Sequence, residues 1–291
     1  MSSDACRLFR ARVACRHAGA QVSSCGMLPT VTTSTTDTTG LDERVRALRA
    51  AGMEASGLVI AVMSGKGGVG KTLLSLELAY LLDAVLVDFD WDGGNSSRAL
   101  GYYAERYKRA PLLDALDSGR TPRPRQASRR PDYVPAHPDL AVNQPAPEQL
   151  AEQVGRWAGD WKRPVIADTH PGGTDATLGV VAAADLVLMP TILGTRELAA
   201  LERTLAELSG YPILLVPNQI PPSPPAKALR DLRAIAERYD VQVGPAVQTY
   251  GWLRTRRLRT VITASATWGA RAVPLVRDFV DLGEEVLDRV T

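Results

Sequence analysis

Apolar residues along this chain fall into two kinds of run. The first is short and continuous: Leu58 to Met63, Ala84 to Val87, Pro164 to Ala167, Leu186 to Met189 and Ile213 to Val216. Such runs, bounded by polar or turn residues, are what strands buried on both faces require. The second kind is longer and spaced at helical period. It predicts helices over 73–82, 95–106, 111–117, 147–158, 194–208, 225–238, 252–258 and 270–289. Further short strands are expected at 139–143 and 244–248. Residues 119–138 are rich in Arg and Pro and are expected as a loop or insertion. Strand and helix alternate from residue 57 onward. This predicts an α/β fold, a mostly parallel twisted sheet with helices on both faces.

Upstream, Leu41, Val45 and Leu48 recur at helical spacing. The expected organisation is therefore a tail over 1–40, a short helix and linker over 41–56, and one domain over 57–291. Residues 30–39 are almost all Thr and Ser, a low-complexity stretch. Residues 1–26 carry Arg7, Arg10, Arg12 and Arg16 without an apolar segment, so they do not read as a secretory signal. They loosely imitate a transit peptide; a disordered tail, or a true start at Met27, is the expectation.

Composition narrows the function classes. The 34 basic and 32 acidic residues leave a net charge of +2, so any nucleic-acid surface must come from local clustering. Cys6, Cys15 and Cys25 all precede the domain, which argues against a disulfide scaffold or a Cys-ligated cluster in its core. No apolar run approaches the roughly 20 residues that span a bilayer. The expected location is cytoplasmic.

The sharpest chemistry lies in Gly65-Lys66-Gly67-Gly68-Val69-Gly70-Lys71-Thr72, directly after the first strand and before the helix that opens with Leu73. This fits the GxxxxGK[ST] pattern in its required context. Glycines let backbone N–H groups turn toward phosphate oxygens without a Cβ in the way, and the helix N-terminus adds its dipole. Lys71 is expected to neutralise β/γ-phosphate charge, and the Thr72 hydroxyl to coordinate Mg²⁺. Two further strands end in acids. One runs Val85-Leu86-Val87-Asp88-Phe89-Asp90; the other runs Val165-Ile166-Ala167-Asp168-Thr169-His170-Pro171-Gly172-Gly173. Carboxylates at the carboxyl edge of a parallel sheet face the ligand crevice, placed for Mg²⁺-bound water or for an attacking water.

The second lysine, Lys66, makes the loop resemble the deviant Walker A loop of the ParA/MinD superfamily of P-loop ATPases. The resemblance covers about 57–290. It implies ATP and Mg²⁺ as cofactors. It implies that Lys66 reaches across a homodimer interface to the partner's nucleotide, that Asp90 serves hydrolysis and belongs with Thr72 to the Mg²⁺ site, and that Asp168 holds Mg²⁺ through water. Asn218 matches a position that contacts adenine in several relatives, although turn chemistry also suits it. His170 is expected as a switch-loop residue, not a base. After Asp90 the chain reads Trp91-Asp92-Gly93-Gly94-Asn95, where Pro-Gln-Gly-Asn would be typical.

Arg254, Arg256, Arg257 and Arg259 cluster beside Tyr250 and Trp252. They read as DNA-phosphate contacts or as a solvated helix face, and the resemblance favours DNA. The stripe Leu275, Val276, Phe279, Leu282, Val286, Leu287, Val290 carries an acidic opposite face, so it is expected as core packing and not as a membrane grip. The function implied is a partition ATPase with an ATP-dependent homodimer, non-specific DNA binding and a ParB-like adaptor. A MinD-like positioning ATPase is the alternative.

Overall fold

The computed structural model describes residues 38–92, 95–107, 110–126, 128–256 and 261–291. Its seven strands are β1 (Val59–Val62), β2 (Val85–Phe89), β3 (Tyr133–Val134), β4 (Val165–Thr169), β5 (Leu186–Thr191), β6 (Ile213–Pro217) and β7 (Gln242–Val243). They lie in the order β3-β2-β4-β1-β5-β6-β7, and every neighbouring pair is parallel. The chain winds outward on the β2–β3 side, returns to β4 beside β1, and then crosses to β5. The winding thus reverses about β1, and the ligand crevice is expected at the carboxyl ends there.

Alternation within β1 explains the layers. Val59, Ala61 and Met63 face one apolar cluster, built with α5 (Pro147–Trp161), α6 (Asp175–Ala183), α7 (Thr195–Glu207) and α8 (Ala226–Arg238). Ile60 and Val62 face the other, built with α1 (Thr39–Glu54), α2 (Lys71–Leu81) and α9 (Val273–Val290). Strands covered on both faces have no polar side to show, which is why their sequences are continuous apolar runs.

Helix α1 is part of this domain and not an appendage before a linker. Leu41, Val45 and Leu48 are buried in the second cluster, and Arg44 bonds Asp281 and Glu284 of α9 at 2.6 Å and 2.5 Å. The apolar stripe of α9 is itself covered: Leu275, Val276, Phe279, Leu282 and Val286 are fully buried. Among the described residues, no helix is long and apolar enough to cross a membrane.

Several sequence expectations are corrected. The edge strand is Tyr133–Val134, inside the expected loop, and 138–141 is a 3-10 turn. Both residues of β3 are buried and pair with Leu86 and Val87, whereas Pro138 lacks the N–H a ladder needs. The helix expected at 95–106 is only α3 (Ser96–Ala99) plus a 3-10 turn at Ala104–Arg106, since Gly101 at φ +84 ends the first turn. The pair α4 (Pro111–Ser118) and α5 stands near its expected bounds. Helix α6 was not legible because its apolar residues surround it and leave no amphipathic period. Residues 251–255 form a 3-10 turn where the sequence predicts a helix over 252–258. The terminal tail, Arg257 and Arg259 lie outside the described residues.

Candidate active site

Strand β1 runs directly into the glycine loop. Gly68 at φ +83 and Gly70 at φ +95 adopt the left-handed backbone that L side chains avoid, and Gly70 caps α2. A Cβ on Gly70 would lie 2.2 Å from Asn218 Nδ2. Across this close approach, Asn218 Nδ2 donates to Val69 O at 2.7 Å and Gln219 Nε2 to Gly68 O at 3.0 Å. Gly172 N donates to Ser64 O at 2.9 Å, which ties the loop to the end of β4. The carbonyls of the loop are thus held from below. The N–H groups of Gly67, Gly68, Val69 and Gly70 bond no backbone acceptor among the described residues. A ring of free N–H groups at a helix start is a cradle for phosphate. Lys71 opens α2 and is buried, with Thr72 and Leu73 next to it partly exposed.

The two acid-ended strands meet this loop in register. Asp88 pairs with Asp168 across β2 and β4, and Val62 with Asp168 across β1 and β4. Three carboxylates therefore crowd one place, and the structure divides their roles. Asp88 is fully buried and saturated: Oδ2 accepts from Ser97 N at 2.7 Å and Ser97 Oγ at 2.5 Å, and Oδ1 from Asp90 N at 3.0 Å. It shapes the turn after β2. Asp90 lies above it, with Oδ1 accepting from Asp92 N at 3.0 Å. Asp168 is fully buried too, and Ser96 Oγ donates to its Oδ2 at 2.5 Å. Its Oδ1 has no partner among the described residues.

Burial raises all three carboxyls above their ordinary range. Asp88 is pushed well up, first by desolvation and then by the charge of Asp168. Asp168 rises to about 6, by desolvation first, against the Ser96 hydrogen bond and the Lys71 charge. Asp90 is raised by desolvation, partly offset by its bond from Asp92 and by Lys71. Lys71 is the cation set among them, and a divalent ion would relieve the remaining negative charge. The unpartnered Asp168 Oδ1, with the Lys71 charge close by, fits an octahedral ion that keeps its waters. The donor set therefore fits a magnesium nucleotide: N–H groups and Lys71 for phosphate, Thr72 and Asp168 for the ion.

The segments that follow β2 and β4 touch through residues that include the departure from the resembled pattern. Trp91 stacks on His170 with ring centroids 4.1 Å apart and planes 7° apart. His170 Nε2 lies 3.1 Å from Asp92 Oδ2. One side-chain atom each from Asp90, Asp92 and His170 lie within 4.8 Å of one another. This contact joins the end of β2 to the end of β4.

A family model described as the CobQ/CobB/MinD/ParA nucleotide binding domain matches residues 60–253. The chain belongs to this family. An uncharacterized protein of Mycobacterium tuberculosis is 30% identical over 232 residues, covering 72% of this chain and 62% of its own length. The chain thus spans less than two thirds of the curated relatives it matches. Among solved structures, Cyanothece McdA in complex with ATP aligns with TM-score 0.61 at 19% identity, over 80% of this chain and 96% of its own. MinD of Aquifex aeolicus aligns at 0.61 and 19%, over 79% and 97%. A plasmid partition protein of Borrelia burgdorferi bound to AMPPNP aligns at 0.60 and 17%, over 79% and 98%. These likenesses show a shared fold.

Within this family fold, Lys71 of the loop lies close enough to Asp90 and Asp168 for its charge to act on both carboxyls. Asn218 is buried against the loop, where its Nδ2 donates to Val69 O and braces the cradle. Arg254 is exposed, while Arg256 is half-buried, its guanidinium pushed down by burial and held partly up by the Glu77 charge. Sequence reasoning missed Ser96, Ser97 and Glu197. Asn95 does cap α3, accepting from Arg98 N at 3.0 Å, and an Asn-Ser-Ser run after a strand-end acid is a readable cap signal.

Proposed function

We propose that this chain is a ParA-type partition ATPase. It takes ATP and Mg²⁺ in the 65–72 loop and closes into a homodimer around two nucleotides. In that state it binds DNA non-specifically, and it hydrolyses ATP slowly until a ParB-like adaptor stimulates it. The cargo is a plasmid or chromosome region, and the protein works in the cytoplasm on the nucleoid. The observation that carries this reading is the side of the loop on which Lys66 stands. Lys71 is buried among the acids, whereas Lys66 is 43% exposed and ion-paired with Glu197, a weakly held exposed contact that a second copy's nucleotide can displace.

In the reaction, Lys71 and the loop N–H groups draw charge from the leaving phosphates. Thr72 and Asp168 would hold the Mg²⁺, which would supply positive charge to the phosphates. Asp90, its carboxyl raised by burial, orients the attacking water and accepts its proton. The MinD-like alternative needs a free amphipathic helix for lipid. The covered stripe of α9 weighs against it, and the exposed Arg254 suits DNA phosphate.

The test measures mass in solution with ATP or ADP, and co-sedimentation with DNA or anionic liposomes. Wild type is expected to dimerise with ATP and pellet with DNA. Lys66→Ala stays monomeric, and Asp90→Ala dimerises but does not turn over. Dimerisation unaffected by Lys66→Ala, or pelleting with liposomes and not with DNA, overturns the reading.

A further inference from the structure

A second cleft shares no lining residue with the phosphate loop. It has a volume of about 280 Å³ and is lined by Arg129, Arg256, Arg271, Trp252 and Trp268 over an apolar base of Val261 and Ala264. No aspartate or glutamate lines it among the described residues. Arg129 and Arg271 bring two exposed guanidinium groups to one concavity, beside an Arg256 on which the buried Glu77 charge already acts, and an anion bound between the exposed pair offsets their mutual repulsion. Arg271 lies over the Trp252 ring at 5.3 Å from its centroid. The Trp252 Nε1–H is buried with no acceptor among the described residues, a donor left for a ligand. Trp268, by contrast, is pinned, its Nε1 donating to Ile262 O at 3.0 Å.

The wall of this cleft is anchored to the nucleotide helix. Glu77 of α2 is fully buried, and its carboxylate accepts from Ile262 N at 2.9 Å, Thr263 N at 2.9 Å and Thr263 Oγ1 at 2.8 Å. The indoles and guanidiniums are therefore presented from a fixed frame.

We infer that this cleft binds a small aromatic phosphate, a mononucleotide by class, at a site separate from the 65–72 loop. The phosphate takes the guanidinium groups, for which the planar fork is suited. The base stacks on indole and accepts a hydrogen bond from Trp252 Nε1–H. The volume stands at the lower end of small-ligand pockets, roughly 300–1,000 Å³. A concavity of that size holds one nucleotide, whereas a duplex is far too wide to enter it. The inference does not depend on the partition reading, and either can fail alone.

The test uses the full chain carrying Lys71→Ala, which silences the phosphate loop. It is titrated separately with AMP, UMP, inorganic phosphate and a short DNA duplex, and followed by tryptophan fluorescence and calorimetry. Saturable binding of AMP or UMP is expected, tighter than inorganic phosphate. Adding Arg129→Ala and Arg271→Ala, both exposed positions, weakens it about tenfold or more. Thermal unfolding of each variant reports folding, and Trp252→Phe, which removes only the indole N–H and part of the ring, gives a second, milder arm. Absence of saturable binding, equal binding of phosphate and nucleotide, binding of duplex alone, or insensitivity of a folded variant each overturns the inference.

Discussion

Lys66 is ion-paired in its own chain with Glu197, in the first turn of α7. Gly194 makes room for the acid, since a Cβ there would lie 2.0 Å from Glu197 Oε2. The bond from Lys66 is the first cause that holds the Glu197 carboxyl below its ordinary range. A lysine that must reach a partner's nucleotide has to leave this acid first. The pair is exposed, and exposed pairs are weakly held, so phosphate can displace it.

Glu197→Gln is therefore expected to release Lys66 and favour the ATP-bound dimer. The dimer dissociation constant at subsaturating ATP should fall about two- to fivefold, the range an exposed ion pair allows. Sedimentation velocity over an ATP series checks this. An unchanged or weakened dimer shows that the pair does not restrain Lys66.

Asp168→Asn should separate metal binding from stability. The native carboxyl, raised to about 6 by burial first, is charged at pH 8 at a cost. Asparagine keeps the Ser96 bond and carries no charge. The nucleotide-free variant is expected to melt higher than wild type at pH 8, by an amount of order 1–3 kcal/mol. Wild type then gains strongly from MgATP and the variant gains little. Equal gains by scanning calorimetry would remove Asp168 from the ion site.

Glu77→Ala strips acceptors from three donors inside the second apolar cluster. The loss is expected at about 3–5 kcal/mol by urea unfolding. Glu77→Gln retains one acceptor oxygen and should cost less. A neutral alanine variant would mean that the 261–265 segment relaxes without its anchor.

Asp278 of α9 supplies a pH signature. Its Oδ2 accepts from Gln248 N at 2.8 Å and Tyr250 OH at 2.7 Å, and burial, the leading cause, raises its carboxyl from 3.8 to about 6. The native state thus keeps this proton to higher pH than the unfolded chain. Stability from this group is fully present below pH 3.8 and is lost as pH rises toward 6. Asp278→Asn can keep both bonds through one oxygen and should lack that slope. Melting curves from pH 4 to pH 7 test it; parallel profiles for the two proteins would refute the assignment.

Much of the site was readable because its parts are local. The strand, the eight-residue loop and the helix that follows are consecutive, and their chemistry depends on glycine φ angles and one helix start. The acids at the ends of β2 and β4 were equally visible. Their division of labour was not. Asp88 and Asp90 look alike in sequence, and only the bonds from Ser97 show that Asp88 is saturated while Asp90 stands above it.

The sequence by itself determined the α/β alternation, the phosphate cradle and the presence of two lysines within it. Those features rest on neighbouring residues and on hydrophobic period. The tertiary structure alone decided that Lys66 rests on Glu197, 131 residues away, and that Ser96 meets Asp168 across 72 residues. It likewise decided that α1 belongs to the core and that Trp91 stacks on His170. Such contacts form between strand ends and helix starts that only the sheet order brings together, so no local pattern can encode them. The parallel register that sets Asp88 against Asp168 is the physical origin of the charged crevice, and Lys66 stands at its rim.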